Sequence, residues 1–354
     1  MPELDPHLGK TFGQVKLIRR LGQGAMGMVY LGWHERFARE VAVKVLLSRH
    51  AQGTMRERFL REGKAAAKVH HQHVVQVFDA GEEHGATYLV MELVDGQSLG
   101  AIMDEKGPLP CEAVARVGAQ VALGLSAIHA QGIIHRDIKP DNILIGADRV
   151  AKITDLGLAK LTDELEANRL TATGMVVGTP LYVSPEAIHD PRASTIASDI
   201  YGLGATLYHL LVGHPPFPLN SPYEVMRAHL EQQPKPPREL RPDIPVGLAN
   251  LVERCLSKSP EARPTAAEVA HLLSGGANLK TNVGRGLALV LGITTLVILL
   301  LAALAWFALQ WARQAPAVPA PTAELIGGAS GTIAQVPIVD GARGTGTGRD
   351  LAGI

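Results

Sequence analysis

His135-Arg136-Asp137-Ile138-Lys139-Pro140-Asp141-Asn142, followed by Asp155-Leu156-Gly157, is the stretch that decides how this chain is read. It sets a base (Asp137), a cation (Lys139) and two candidate metal ligands (Asn142 and Asp155) on one short hairpin. Phosphoryl transfer from a nucleotide asks little covalent chemistry of a protein. It asks for a positioned hydroxyl, a positioned terminal phosphate and Mg²⁺ to offset developing charge. Residues of these types at this spacing supply those parts.

Upstream of the hairpin the pattern is strand-like. Residues 14–21, 28–33 and the alternating 40–46 predict three antiparallel strands. The turn Gly22-Gln23-Gly24-Ala25-Met26-Gly27-Met28-Val29 lets backbone N–H groups approach phosphate oxygens. A strand follows this turn where a dinucleotide-binding βαβ unit would start a helix, which argues against that fold. Lys44 sits among valines, so it is either a snorkelling edge residue or an ammonium that requires a buried anionic partner. Residues 55–69 read as a helix with Phe59, Glu62 and Ala66 on one face, weakened at Gly63 by about 1 kcal/mol relative to alanine. Strands at 74–79 and 87–93 follow. Beyond Pro110 helical periodicity dominates, over 113–131, 197–212, 222–232, 246–257 and 265–273. The expected architecture is α+β, a small strand-rich lobe followed by a larger helical one.

The 354 residues carry a formal net charge of zero, so no global field recruits nucleic acid, and none is expected as a partner. Cys111 and Cys255 each fall inside an apolar helical pattern and suit buried thiols rather than a disulfide. Nothing in residues 1–10 reads as a signal peptide. Residues 286–312 contain no charge and carry Trp306 and Trp311 near their far end. At about 1.5 Å per residue this run exceeds a hydrocarbon core of roughly 30 Å, and a single membrane span is expected. Residues 275–285 form the juxtamembrane linker. Residues 313–354, rich in Pro, Gly and Ala, are expected to be disordered.

The glycine loop, Val41-Ala42-Val43-Lys44, the His135–Asn142 loop, Asp155-Leu156-Gly157 and Val183-Ser184-Pro185-Glu186 stand in the order and spacing of protein kinases. Over residues 12–274 the chain resembles a bacterial Hanks-type serine/threonine kinase. That resemblance implies a two-lobed kinase fold (N-lobe 12–94, C-lobe 95–274) after an extension of residues 1–11. It also implies ATP with Mg²⁺, or Mn²⁺ in its place, and protein substrates bearing serine or threonine. Lys44 would hold the α- and β-phosphates and pair with Glu62, Asp137 would accept or steer the hydroxyl proton, and Lys139 would offset charge on the γ-phosphate. Asn142 and Asp155 would hold the metal. Nucleotide would lie against Leu21, Gly22, Gln23, Gly24, Ala25, Met26, Gly27, Met28, Val29, Ala42 and Leu144. Met91 would be the gatekeeper, with Glu92 and Val94 in the hinge.

Lys139 and Thr179 resemble the serine/threonine subclass. Thr171 and Thr173 would be activation-loop acceptors opposite Arg136. Glu186 and Arg263 resemble a structural ion pair, and Asp199 the aspartate that braces the catalytic loop. Leu156 departs from the phenylalanine common at its position but is apolar and fills much of the same space. Gly63 beside Glu62 hints at a loosely held helix that a partner or a second copy docks. The ordinary chemistry of ATP puts the kinase domain on the cytoplasmic side and the tail outside. The cluster His70, His71 and His73 lacks zinc-like company and reads as structural. A nucleotide-binding scaffold without activity is the main rival, and such scaffolds typically lack one of Lys44, Asp137, Asn142 or Asp155, all present here.

Overall fold

The alternation at 40–46 sorts by period two, as a pleated strand requires. In the computed structural model Val41, Val43 and Val45 enter one apolar cluster, while Ala42 and Leu46 on the opposite face enter two others. This strand is buried on both faces because it is central. The sheet runs β1-β2-β3-β4-β6-β5, every neighbouring pair antiparallel: β1 (Thr11–Phe12), β2 (Val15–Gln23), β3 (Gly27–His34), β4 (Arg39–Leu46), β5 (Val77–Glu83) and β6 (Ala86–Met91). The structure describes residues 5–24, 27–46, 54–156, 180–275 and 303–306, and the chain divides into two compact units, Met1–Leu287 and Ala288–Ile354.

One expected boundary moves. Residues 1–11 read as an extension, but Asp5–Lys10 form a turn bonded to the sheet, and Thr11 is already in its first strand. Gly9 N–H donates to the Leu17 carbonyl at 3.0 Å and Leu17 N–H to Lys10 at 2.9 Å. The fully buried Tyr30 gives its hydroxyl to Asp5 at 2.9 Å. Burial, aided by Asp5, pushes that phenol well above its ordinary pKa. The β5 strand also starts later than residue 74, because Val74 forms a parallel bridge with Ile153 and Val75 N–H donates to Ile153 at 2.8 Å.

Helix α1 (Thr54–Ala66) lies on the face of the sheet that carries Leu46 and Leu89, with Phe59 buried between them. Gly63 is what lets it approach: a Cβ there would collide with Leu89 Cδ2 and come within 3.5 Å of the Ala80 Cβ. The missing methyl therefore tightens this contact, whatever it costs the isolated helix. Gly63→Ala is expected to destabilise the fold by about 1–3 kcal/mol despite alanine's better helix propensity. A denaturant midpoint equal to or above that of the parent would show that Leu89 simply yields.

The second lobe opens with α2 (Leu99–Lys106), capped by Ser98, and α3 (Cys111–Ala130). A three-stranded sheet of β7 (Gly96–Ser98), β8 (Ile143–Gly146) and β9 (Ala151–Ile153), in that order, lies at the junction with the first lobe. The sequence patterns missed it, since these strands are too short to show a period. After α4 (Pro185–His189) comes α5 (Ile196–Val212), begun by the Thr195–Ser198 capping box and ended at Gly213, whose φ of 95° is the left-handed region. It is apolar nearly all round and buried accordingly. α6 (Pro222–Glu231) follows, α7 (Pro237–Leu240) and α8 (Val246–Cys255) pack against α5, and α9 (Ala266–Ser274) packs against α3. Both cysteines are free. Cys255 is fully buried, with its thiol pushed up to about 12 by burial, and Cys111 is half-buried.

Among the described residues α3 is the one helix long and apolar enough to cross a membrane, and half of it is buried in the lobe's core. The expected span at 286–312 lies outside the described residues except for 303–306, which are helical.

Candidate active site

Lys44 extends from the central strand toward the junction of the lobes and finds its anionic partner. Its Nζ lies 2.7 Å from Asp155 Oδ1, with the lysine side chain only 7% exposed, which removes the snorkelling alternative. Burial works to raise the Asp155 carboxyl, but Lys44, with His135 and Lys139 adding to it, outweighs that and holds it below the ordinary aspartate value. The expectation was a Lys44–Glu62 pair. Glu62 sits half-buried on α1, and the lysine is engaged by Asp155 instead.

The hairpin of 135–142 is held from three directions. Asp137 Oδ2 accepts from Lys139 Nζ at 2.7 Å and from Asn142 Nδ2 at 2.8 Å, and the same amide donates to the Asp137 carbonyl at 2.7 Å. His135, buried, donates from Nε2 to the Thr154 carbonyl at 2.8 Å and accepts from Asp137 N–H at Nδ1, so one ring ties the hairpin to the residue preceding Asp155. Beneath, the buried Asp199 accepts from His135 N–H at 2.9 Å and Arg136 N–H at 2.7 Å, and from His129 Nε2 at 2.8 Å. These bonds hold Arg136 at φ 71°, and Asp155 stands at φ 62°. Both are left-handed conformations that non-glycine residues adopt only when their surroundings over-determine them.

Above the hairpin an apolar cluster joins the two lobes. Ala42 and Met91, paired across β4 and β6, meet Val29, Val94 and Leu144, so five of the expected nucleotide contacts come together. Val75 and Leu93 belong to it as well and were not anticipated. Met28 does not join, since its sulfur lies 3.2 Å from the Tyr30 hydroxyl on the opposite face of β3, leaving only its backbone near the cleft. Leu21 is exposed. Gly24 N–H donates to the Gly27 carbonyl at 2.9 Å, closing the glycine turn, and Gly27 passes so close to Val45 backbone that a side chain could not fit. Ala25 and Met26 lie outside the described residues.

A family model of the protein kinase domain matches residues 15–272. The chain belongs to the protein kinase family. Among curated relatives, the serine/threonine-protein kinase pkn2 of Myxococcus xanthus is 39% identical over 74% of this chain, and PknB of Mycobacterium leprae 38% over 75%. The alignments cover 32% and 42% of those two proteins, so the chain spans less than half the length of either. Among solved structures, the PknI kinase domain of Mycobacterium tuberculosis superposes with a TM-score of 0.60 at 30% identity, over 75% of this chain and 97% of that one. A Rad53 structure in complex with AMP-PNP gives a TM-score of 0.60 at 27% identity, over 73% of this chain and 64% of that one. The α+β, two-lobed kinase fold expected from the motifs is therefore the fold found.

Other positions of the kinase domain fall into place on this frame. Glu186 and Arg263 form a bidentate pair, 2.7 and 2.9 Å, and Ser198 Oγ donates to the same carboxylate at 2.7 Å. Burial works to raise the Glu186 carboxyl, but the Arg263 and Ser198 hydrogen bonds overcome it and bring the group to about 2. Leu156 is buried in the large core of the C-lobe. The Glu92 side chain turns away from the apolar cluster to Lys152 Nζ at 2.9 Å and Gln76 N–H at 3.2 Å, which leaves only its backbone for a ligand. His73 is buried and bonds the Ala151 carbonyl at 2.9 Å through Nδ1, a structural use of the histidine cluster. Gly157, Thr171, Thr173 and Thr179 lie outside the described residues. His129, Lys152 and Val75 carried no sequence signal, because each acts through a partner distant in the chain.

Proposed function

We propose that this chain is a serine/threonine protein kinase that transfers the γ-phosphate of ATP to hydroxyls of protein substrates and of its own activation segment. The observation that carries the proposal is the Lys44–Asp155 pair: a cation and a carboxylate 111 positions apart, from different lobes, meet at 2.7 Å beside a hydrogen-bonded Asp137. Bound MgATP supplies the transferable phosphoryl group and the cation that offsets its charge. The donor set fits that metal. Asn142 uses its Nδ2 on Asp137, and among the described residues no hydrogen bond reaches its Oδ1 or the Oδ2 of Asp155, both hard oxygen donors. Lys44 is placed to neutralise phosphate charge. Asp137, held by Asn142 and Lys139, orients the attacking hydroxyl and takes its proton, and Lys139 offsets charge that develops as the phosphoryl group moves. The apolar cluster of Val29, Ala42, Met91 and Leu144 suits the faces of an adenine ring.

The finer parts of the proposal are a single span at 286–312 with the kinase domain cytoplasmic, phosphorylation at Thr171 or Thr173 read by Arg136, and a partner or second copy docking α1. The full chain incubated with γ-labelled ATP and Mg²⁺ should place label on serine and threonine. Phosphotyrosine as the main product, or nucleotide binding without transfer in either Mg²⁺ or Mn²⁺, would sink the proposal. Protease cleavage of the kinase domain from outside intact cells would sink the orientation, and activity independent of protein concentration would remove the docking of a second copy.

A further inference from the structure

The C-lobe holds a buried polar chain that the proposed chemistry does not use. Tyr201 on α5, fully buried, meets Nδ1 of the equally buried His229 on α6 at 2.8 Å, and Nε2 of the same ring reaches the Leu181 carbonyl at 3.2 Å. A carbonyl only accepts, so Nε2 carries the ring proton and Nδ1 accepts from the tyrosine hydroxyl. Both ends of the imidazole are thus engaged. Its place is fixed further by Phe217, edge-on at 4.9 Å, and by Lys258, whose Nζ donates to the His229 carbonyl at 2.6 Å. Burial, with the Lys258 ammonium adding, pushes the imidazole down to about 3, so the ring stays neutral and this bonding pattern persists across ordinary pH.

Leu181 and Tyr182 lead into Ser184-Pro185-Glu186 and lie against the 135–142 hairpin, since a Cβ on Gly202 would meet both the Ile138 carbonyl at 3.0 Å and the Tyr182 carbonyl at 3.6 Å, so this stretch borders the acceptor if the activity proposed above is right. Tyr182 is held by a second histidine, its hydroxyl 2.7 Å from His209 Nδ1. The Leu181 carbonyl is therefore fastened to α6 and the Tyr182 side chain to α5, through His229 and His209.

We infer that His229 is a positioning residue that fixes the Leu181 carbonyl, and with it the peptide-binding segment, so that it governs affinity for the acceptor peptide rather than the transfer step. The effect on peptide affinity rests on the kinase activity proposed above. The bond to Leu181 does not.

The test uses the full chain and a synthetic peptide of residues 164–178, which contains Thr171 and Thr173. In H229F, which keeps a ring but no hydrogen bond, KM for this peptide should rise by about three- to tenfold, the worth of one neutral hydrogen bond, with kcat and KM for ATP nearly unchanged. H229Q, whose side-chain amide can still donate to the carbonyl, should restore the parent value. Hydrogen exchange supplies a readout independent of activity: amides of 181–184 should exchange faster in H229F and not in H229Q. If H229F does not fold, Y201F, which frees the ring to turn, should shift both readouts in the same direction. Unchanged exchange in the folded variants, or equal loss in H229F and H229Q, overturns the inference. Absence of transfer in the parent protein overturns the kinase activity instead, while the exchange measurement still decides the role of His229.

Discussion

Asp137→Asn is expected to slow phosphoryl transfer by about 10²–10⁴-fold, the usual worth of a positioned general base. Asparagine matches the shape of aspartate and offers one oxygen to the two donors that hold it, Lys139 Nζ and Asn142 Nδ2, so the hairpin should keep its geometry. What it lacks is the second acceptor lone-pair set and the charge needed to take a proton. Thermal stability and nucleotide affinity should therefore stay close to those of the parent while the single-turnover transfer rate collapses. A variant that transfers at the parent rate would remove Asp137 from the chemistry. One that loses nucleotide binding to the same degree would show a role in holding the nucleotide instead.

Arg263→Ala is expected to cost about 3–5 kcal/mol of stability, because it leaves a carboxylate in the C-lobe without its counter-charge. Arg263 has a fully buried guanidinium side chain and donates to both oxygens of Glu186, and also to the carbonyls of Ala197, Ser257 and Lys258. Its loss therefore opens five hydrogen bonds at once, to Glu186 on α4, Ala197 on α5 and the 257–258 backbone that follows α8. A double replacement, E186M with R263M, should recover much of the loss, since no charge is then stranded. The same pair predicts an acid limb. Glu186 is depressed from 4.5 to about 2, so its contribution is fully present above pH 4.5 and disappears as pH falls toward 2. Denaturant midpoints of the parent should drop through that window, and those of E186Q should drop less there. Parallel curves would show that other carboxylates carry the acid sensitivity.

Much of the site was legible because its chemistry is local in sequence. Asp137, Lys139 and Asn142 lie within one turn of chain, and their mutual hydrogen bonds follow from that closeness. Lys44 was legible for another reason: period two places it on the same face as Ala42 and Leu46, and an ammonium there demands an anion. Which anion was another matter. The sequence offered Glu62 as the partner, and the structure assigns Asp155, because the choice depends on where α1 sits relative to the cleft. Gly63 shows the same limit. Along a helix it reads as a weak point, yet against Leu89 it is the contact that allows the helix to seat.

Residues 1–11 were set aside as an extension because the kinase resemblance begins at Phe12. Three backbone and side-chain bonds to Leu17 and Tyr30 tie residues 5–10 to the sheet. Val74 was placed in the wrong strand since its parallel bridge to Ile153 spans the two lobes. The left-handed conformations of Arg136 and Asp155 gave no sign, since that of Arg136 is held by a bond from its N–H to Asp199, 63 positions away.

Sequence by itself determined the α+β division, the course of the central strands and helices, and the inventory of groups able to handle a phosphoryl group, because periodicity and short-range spacing express these directly. Tertiary structure alone decided which charge neutralises which, that Asp199 grips the hairpin together with His129, and that His229 reaches Leu181. Those pairings join residues tens of positions apart, and burial sets their energies. Burial belongs to the packed lobes and to no single stretch of chain.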